Sequence, residues 1–244
     1  MIDSPKRNFM KAFTWKIIGF VILSIIAFTI TNSLRTVGVI GIAYHLLMII
    51  LYFFHEKLWE RILWGKSKGL LIQMTGMSGA GKTTLANQVQ KKLVRRGLQI
   101  EIIDGDEYRK ELCEDLGFSK HDRKENIKRL SYVGKILSRN SVVSIMSAIN
   151  PYDSSRERIR NTNKSSKLVY VKCSVEELMK RDTKGLYHRA LLPDGHPEKV
   201  YNFTGISDPF EEPKKYDLLI ETDKETLQQS VTKIERFILK NISK

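Results

Sequence analysis

The pattern of apolar and polar positions divides this chain in two near residue 68. Upstream lie two apolar stretches, 13–34 and 36–54. Each approaches the ~20 residues a helix needs to cross a bilayer core. The intervening Thr31-Asn32-Ser33-Leu34-Arg35-Thr36 is long enough for a turn and nothing more, which predicts an antiparallel hairpin. Downstream the apolar runs shorten. Runs at 70–75, 99–103, 141–148, 168–172 and 216–220 read as strands. They alternate with helical spacing over 85–96, 123–139, 175–181 and 227–242, the last marked by Leu227, Val231, Ile234 and Ile238. Such alternation predicts a parallel sheet covered by helices on both faces. The expected organisation is a membrane hairpin over 1–65 and an α/β domain over 66–244.

Charge gives the hairpin a direction. Lys6, Arg7, Lys11 and Lys16 precede it, and Lys57, Arg61, Lys66 and Lys68 follow, whereas the turn offers only Arg35. By the positive-inside rule both ends are cytoplasmic. Lys16 interrupts only the first turn and can snorkel to the interface, and Trp15, Tyr52, Trp59 and Trp64 stand where interfacial aromatics are expected. A cleaved signal peptide is disfavoured, because 28–33 offers no small-residue cleavage site and a second apolar stretch follows. The net charge of +14 is spread over both parts, with nine Lys/Arg against three Asp/Glu before Gly69. No basic tail is present, so phosphate-rich ligands and membrane flanks account for the excess and a nucleic-acid partner is not expected. Cys113 and Cys173 lie far apart without a metal-ligand pattern and read as free thiols in a reducing compartment, Cys173 inside a strand. His45 and His55 read as structural or interfacial.

The first strand runs into Gly76-Met77-Ser78-Gly79-Ala80-Gly81-Lys82-Thr83-Thr84 and then a helix. This is a phosphate-binding loop in its required strand–loop–helix setting. The glycines let backbone amides turn inward as an anion nest at a helix N-terminus. Residues Gly76, Ser78, Gly79, Ala80, Gly81, Lys82, Thr83 and Thr84 are the candidate ATP contacts, Lys82 reaching the β- and γ-phosphates and the Thr83 hydroxyl ligating magnesium.

That loop serves motors, GTPases and kinases alike, so the acceptor must be read further on. The second strand ends in Asp104-Gly105-Asp106-Glu107-Tyr108-Arg109. One carboxylate can organise hydrated magnesium while the other orients a hydroxyl proton, with Arg109 holding an anion. The same residues also suit an Asx-type turn capping the next helix. On a helix, Arg123 and Asn126 face the same way, offering a charged fork and an amide to an anion, with Phe118 free to stack. A solvated basic helix would read the same. Asn150-Pro151-Tyr152 follows the third strand, at the end where ligands gather.

Taken in order, 76–84, 104–109, 116–126, Arg181-Asp182-Thr183-Lys184-Gly185-Leu186-Tyr187 and Asn202-Phe203-Thr204-Gly205-Ile206-Ser207-Asp208-Pro209 resemble the adenosine 5'-phosphosulfate (APS) kinases over essentially residue 69 to the end. The resemblance implies a P-loop, nucleotide-kinase-like sheet and transfer of a phosphate from ATP to the 3'-hydroxyl of APS, giving 3'-phosphoadenosine 5'-phosphosulfate (PAPS) for sulfate assimilation. It implies Asp106 as base at that hydroxyl, Asp104 near Mg2+, and Lys184 closing a lid over 184–209. It implies Arg109, Arg123 and Asn126 on the phosphosulfate, Asn150 at the substrate end, and Phe118 and Phe203 around the adenine. His188 and His196 read as lid surface. A separate ATP sulfurylase and a homodimer are the implied partners. Two departures stand out. Asn150 replaces a frequent serine, which rules out a phosphoserine there, and Asp153 replaces an arginine, for which Arg156, Arg158 or Arg160 could compensate. Thr183 replaces a frequent proline. The first 65 residues resemble a bacterial family of two-helix membrane domains, which implies the inner membrane as location. Phosphorylation of another small anionic acceptor, or non-catalytic nucleotide sensing, are the competing functions.

Overall fold

The computed structural model describes residues 5–61 and 68–242. Trp64 and Lys66 lie outside the described residues, as do the side chains of Lys6, Arg7, Lys11, Trp59 and Arg61. By compactness the chain divides into Met1–Gly65 and Lys66–Lys244.

The first unit is a pair of helices, α1 (Pro5–Thr31) and α2 (Leu34–Arg61). Helix α1 begins well before its apolar stretch but ends at Thr31, short of the expected 34, while α2 runs past its stretch at both ends, because a helix continues past its membrane segment wherever no breaker stops it. The turn is correspondingly tighter. Asn32 adopts φ 50°, a left-handed conformation that asparagine tolerates better than most residues. Ser33 then caps α2, its Oγ accepting from the Thr36 amide at 3.4 Å. At the end of α1 the Thr31 hydroxyl bonds back to the Ala27 carbonyl at 2.7 Å, which keeps a polar group satisfied without a water partner. Among the described residues of the pair, Ala27 and Gly41 are the buried positions. A Cβ on Gly41 would meet the Phe20 ring at 3.5 Å. His45 stacks on the same ring with centroids 5.5 Å apart. Small residues at the seam let the helices approach. The segments Phe13–Thr31 and Leu34–His55 are long and apolar enough to span a membrane. Most of their large apolar side chains, from Ile18 to Phe54, stay exposed, the reverse of a soluble core.

The second unit holds a five-stranded parallel sheet in the order β2-β3-β1-β4-β5. Its elements run β1 (Leu70–Thr75), α3 (Lys82–Val94), β2 (Ile100–Asp104), α4 (Gly105–Glu111), α5 (Lys120–Arg139), β3 (Val143–Ser147), α6 (Asp153–Thr162), β4 (Ser166–Lys172), α7 (Val175–Arg181), α8 (Leu186–Ala190), β5 (Leu218–Glu221) and α9 (Leu227–Ile242). All five expected strands are present, with ends shifted by a residue or two. Strand β1 is buried along its whole length, as a central parallel strand should be. Its alternate side chains feed two cores. Leu70, Ile72 and Met74 pack with Leu85, Val89, Ile234 and Ile238 from α3 and α9, while Leu71 joins Ile103, Ile127, Leu130 and Met146 on the α5 face. Helix α5 lies close because position 134 is glycine: a Cβ there would stand 2.6 Å from Leu71 Cδ1. Helices α4, α6 and α8 are short and lack a long apolar period, which is why spacing alone did not predict them.

Candidate active site

The carboxyl ends of β1, β2 and β3 open onto one cleft of about 250 Å³, at the point where the strand order reverses on either side of β1 and β3. One wall is the phosphate loop. Gly76 takes φ 156°, and a Cβ there would fall 2.2 Å from the Val171 carbonyl oxygen. Only glycine lets the loop leave the sheet so close to β4. Gly79 and Gly81 at φ 77° and 91° turn the backbone again before α3. Lys82 is buried, with Nζ donating to the Gly76 and Met77 carbonyls at 2.8 Å each. Burial pushes its ammonium down to about 8; Lys184 adds to that effect, while Asp106 and Asp104 oppose it.

Asp104 caps the helix that follows it and also faces the phosphate loop. Its Oδ1 accepts from the Asp106 amide at 2.9 Å and caps α4. Its Oδ2 accepts from the Thr83 hydroxyl at 2.7 Å. Ser147, level with Asp104 in the β2–β3 register, brings its Oγ within 3.1 Å of Thr83 Oγ1. Ser147 was not singled out from the sequence, since a lone serine ending a strand carries no signal until the register places it. These hard oxygen donors at the mouth of the loop fit a magnesium ion that takes further ligands from phosphate and water. Asp106 stands two residues on, largely exposed, in an ion pair with Lys184 Nζ.

The opposite wall is built from side chains. Arg109 donates to the Leu116 and Gly117 carbonyls at 3.1 and 2.8 Å. Its guanidinium lies 4.6 Å from the centre of the Phe118 ring, and that of Arg123 lies 5.6 Å from it. Phe118 itself is 58% exposed. Arg123 donates to the Phe118 carbonyl at 3.0 Å and to the Asn202 carbonyl, and stands 3.8 Å from Asp208. The Tyr152 hydroxyl donates to the same Asp208 carboxylate at 3.0 Å. Burial, then that hydrogen bond, push the Tyr152 phenol up to about 12. Arg123, Tyr152 and Asp208 thus clasp the 200–208 segment to α5. Asn126 and Asn150 complete this wall, both buried.

Phe203 is not in the cleft lining. It is 6% exposed and meets Tyr187 edge-on, with centroids 4.9 Å apart. An aromatic ring with no polar handle gains more from the core than from an open cleft. Gly76 and Ala80 shape the loop from behind rather than line it. The compensation expected of Arg156, Arg158 or Arg160 is not seen. Buried Arg156 is held by Asp153 and by the Asn150 and Glu211 carbonyls, and Arg160 pairs with Asp217 at 3.5 Å. Arg158 lines a separate groove between α5 and α6.

The sequence pattern of the adenylylsulphate kinase family matches residues 68–221. The chain belongs to that family. A second pattern, described as a predicted membrane protein, matches residues 9–60. The chain is 42% identical over 171 residues to the adenylyl-sulfate kinase of Halothermothrix orenii, covering 70% of this chain and 90% of that one. It is 43% identical over 168 residues to a probable adenylyl-sulfate kinase of Pseudomonas aeruginosa, covering 69% and 76%. Among solved structures, the Mycobacterium tuberculosis APS kinase in complex with AMPPNP and APS aligns at a TM-score of 0.65 and 30% identity, over 71% of this chain and 99% of that one. The APS kinase match and the hairpin match occupy different parts of the chain, so this is an adenylylsulfate kinase domain joined to an apolar, membrane-associated hairpin.

Proposed function

We propose that this protein phosphorylates the 3'-hydroxyl of APS with ATP and magnesium, producing PAPS at the inner face of a bacterial membrane. The observation that carries this reading is the pairing of Asp106 with Lys184 between the phosphate loop and the Arg109–Phe118–Arg123 wall. In this reading the loop amides and Lys82 hold the ATP phosphates, and Thr83 and Asp104 would hold magnesium. That ion supplies charge neutralisation on the transferring phosphoryl group. APS stacks on Phe118, its anionic end toward Arg109, Arg123 and Asn126. Phe203 joins the stack only if its ring leaves Tyr187 as the 184–209 segment closes. Asp106 accepts the proton of the 3'-hydroxyl while Lys184 leaves the carboxylate for the incoming phosphoryl oxygens. The reaction is then mostly positioning and charge placement in a site that closure keeps dry.

The resemblance also supports APS arriving from a separate ATP sulfurylase and a homodimeric kinase. The basic flanks of the hairpin support a cytoplasmic kinase domain. Protease sensitivity of that domain in sealed right-side-out vesicles, seen only after lysis, is the expected topology result. The test of the reaction is PAPS formation by the full chain in detergent with ATP, magnesium and APS, beside Asp106→Asn. Turnover that collapses by about a thousandfold in the variant is expected for loss of the proton acceptor. Binding of ATP and APS with no PAPS from wild type would refute the reading.

A further inference from the structure

Charge in the kinase domain is sorted along the strands. All five strands run parallel and the helices between them return, so strand starts and helix ends share one edge, opposite the cleft. Lys91, Arg95, Arg139, Lys164 and Lys240 stand exposed there, at the ends of α3, α5 and α9 and in the turn before β4. Arg95, Arg139 and Lys164 form no ion pair with any described residue. Two acids at this edge are already engaged, buried Glu235 by Arg96 and Lys92, and Asp217 by Arg160 and Lys167. Glu101, near the start of β2, is exposed, so the balance is strongly positive. Helix dipoles favour bases at these ends, but they do not favour apolar side chains. Yet Val94 is 52% exposed and Ile136 44%, each within a turn of an exposed arginine. Bases and apolar side chains mixed on one exposed face are what a lipid headgroup layer takes up.

The chain also enters the domain at this edge. Gly69 precedes β1, and a Cβ on it would run into the Ser138 carbonyl at the end of α5, next to Arg139. From Arg61, the last residue of α2, to Gly69 the chain extends about 28 Å at most, at roughly 3.5 Å per residue. Resting on the reading of the hairpin as a membrane anchor, we propose that this edge docks on anionic lipid headgroups of the same membrane. Strand β1 has six residues and spans about 20 Å, more than twice the ~8 Å over which physiological salt screens charge. The cleft at the far end of β1 therefore opens beyond the lipid field, which would repel ATP and APS. A nucleic-acid backbone would match the bases but gain nothing from Val94 and Ile136.

The experiment is lysine acetylation footprinting of the full chain in nanodiscs of phosphatidylcholine, alone or with about one third phosphatidylglycerol. Lys91 and Lys164 should lose reactivity at least threefold in the anionic discs and regain it in high salt. Lys224, exposed after β5 at the cleft edge, should react equally in both. Arg95→Glu combined with Arg139→Glu should abolish the protection. PAPS formation by that variant in detergent should stay within twofold of wild type, since neither side chain lines the cleft. Equal reactivity of Lys91 and Lys164 in the two disc types would overturn the proposal. So would protection that survives both salt and charge reversal, which would mark packing against protein. Protection of the same lysines by duplex DNA at matched salt, with none in anionic discs, would assign the edge to nucleic acid instead. The footprint does not depend on turnover, so protection without PAPS would sink the proposed reaction alone, and PAPS without protection the docking alone. A chain that enters neither kind of disc would refute the anchor and the docking together.

Discussion

The two walls of the cleft are made by different means. The phosphate loop is a contiguous stretch, 76–84, whose chemistry lies in backbone amides and whose shape lies in three glycines with positive φ. The acceptor wall gathers Arg109 from α4, Phe118 from a turn, Arg123 and Asn126 from α5, Asn150 from the end of β3, and the Asn202–Asp208 segment. Its chemistry lies in side chains that only tertiary packing brings together. A backbone-built wall tolerates many side-chain changes but few glycine changes. A side-chain-built wall is the opposite, and it is where substrate preference can evolve.

That contrast can be broken most severely at Lys82, which like Thr83 acts through its side chain. Lys82→Met should lower kcat by roughly a hundred- to a thousandfold, the usual effect of deleting a charge aimed at a transferring phosphoryl group. The same change should stabilise the ligand-free protein. The folded-state value of about 8 lies below the ordinary 10.5, so the buried charge disfavours folding in full below pH 8, and that penalty fades as pH rises toward 10.5. Thermal unfolding at pH 7 should therefore show a higher midpoint for Lys82→Met, with the gap closing by pH 10. An unchanged midpoint would mean the charge is not buried in solution.

On the other wall, Arg123→Lys keeps the charge and loses the fork that reaches Phe118, Asn202 and Asp208 together. About 2 kcal/mol, or roughly a 30-fold rise in KM for APS, is expected with KM for ATP unmoved. If both KM values rise together, the walls are not independent. Tyr152→Phe removes only the hydrogen bond to Asp208. It should cost about 1 kcal/mol, near fivefold in KM for APS, and leave kcat alone. The smallest effect is protonic. Nucleotide phosphates should pull the Lys82 value above 8, so ATP binding near pH 8 should take up about half a proton. Near pH 6 it should take up none, because Lys82 is then charged in both states. Calorimetry in two buffers of different ionisation enthalpy reads this directly, and release of protons would refute it.

The hairpin and the kinase unit divide along the same line of local against assembled. Both were visible as elements because hydrophobic period is a local property: long unbroken runs for α1 and α2, short alternating runs for the strands and helices of the sheet. What remained out of sight had no period to show. Helices α4, α6 and α8 are five to ten residues long and mostly polar, their first amides held by the carboxylates of Asp104, Glu211 and Asp182 rather than the helices by an apolar face. The sequence offered Asp104 as a helix cap or a metal-organising carboxylate; the geometry shows the cap through one oxygen and a contact to the Thr83 hydroxyl through the other.

The sequence by itself determined the phosphate loop, the family and the membrane hairpin, because each is written in consecutive residues whose backbone demands or hydropathy act over a few turns. The tertiary structure decided the rest. It set Ser147 beside Thr83 through strand register, turned Phe203 into the core against Tyr187, tied Arg156 into the Asp153–Glu211 contacts, and left the Asn150 amide buried and unpaired in the cleft wall. Those outcomes depend on which side chains compete for the same space and the same hydrogen bonds. That competition exists only once the sheet has brought distant residues to one edge.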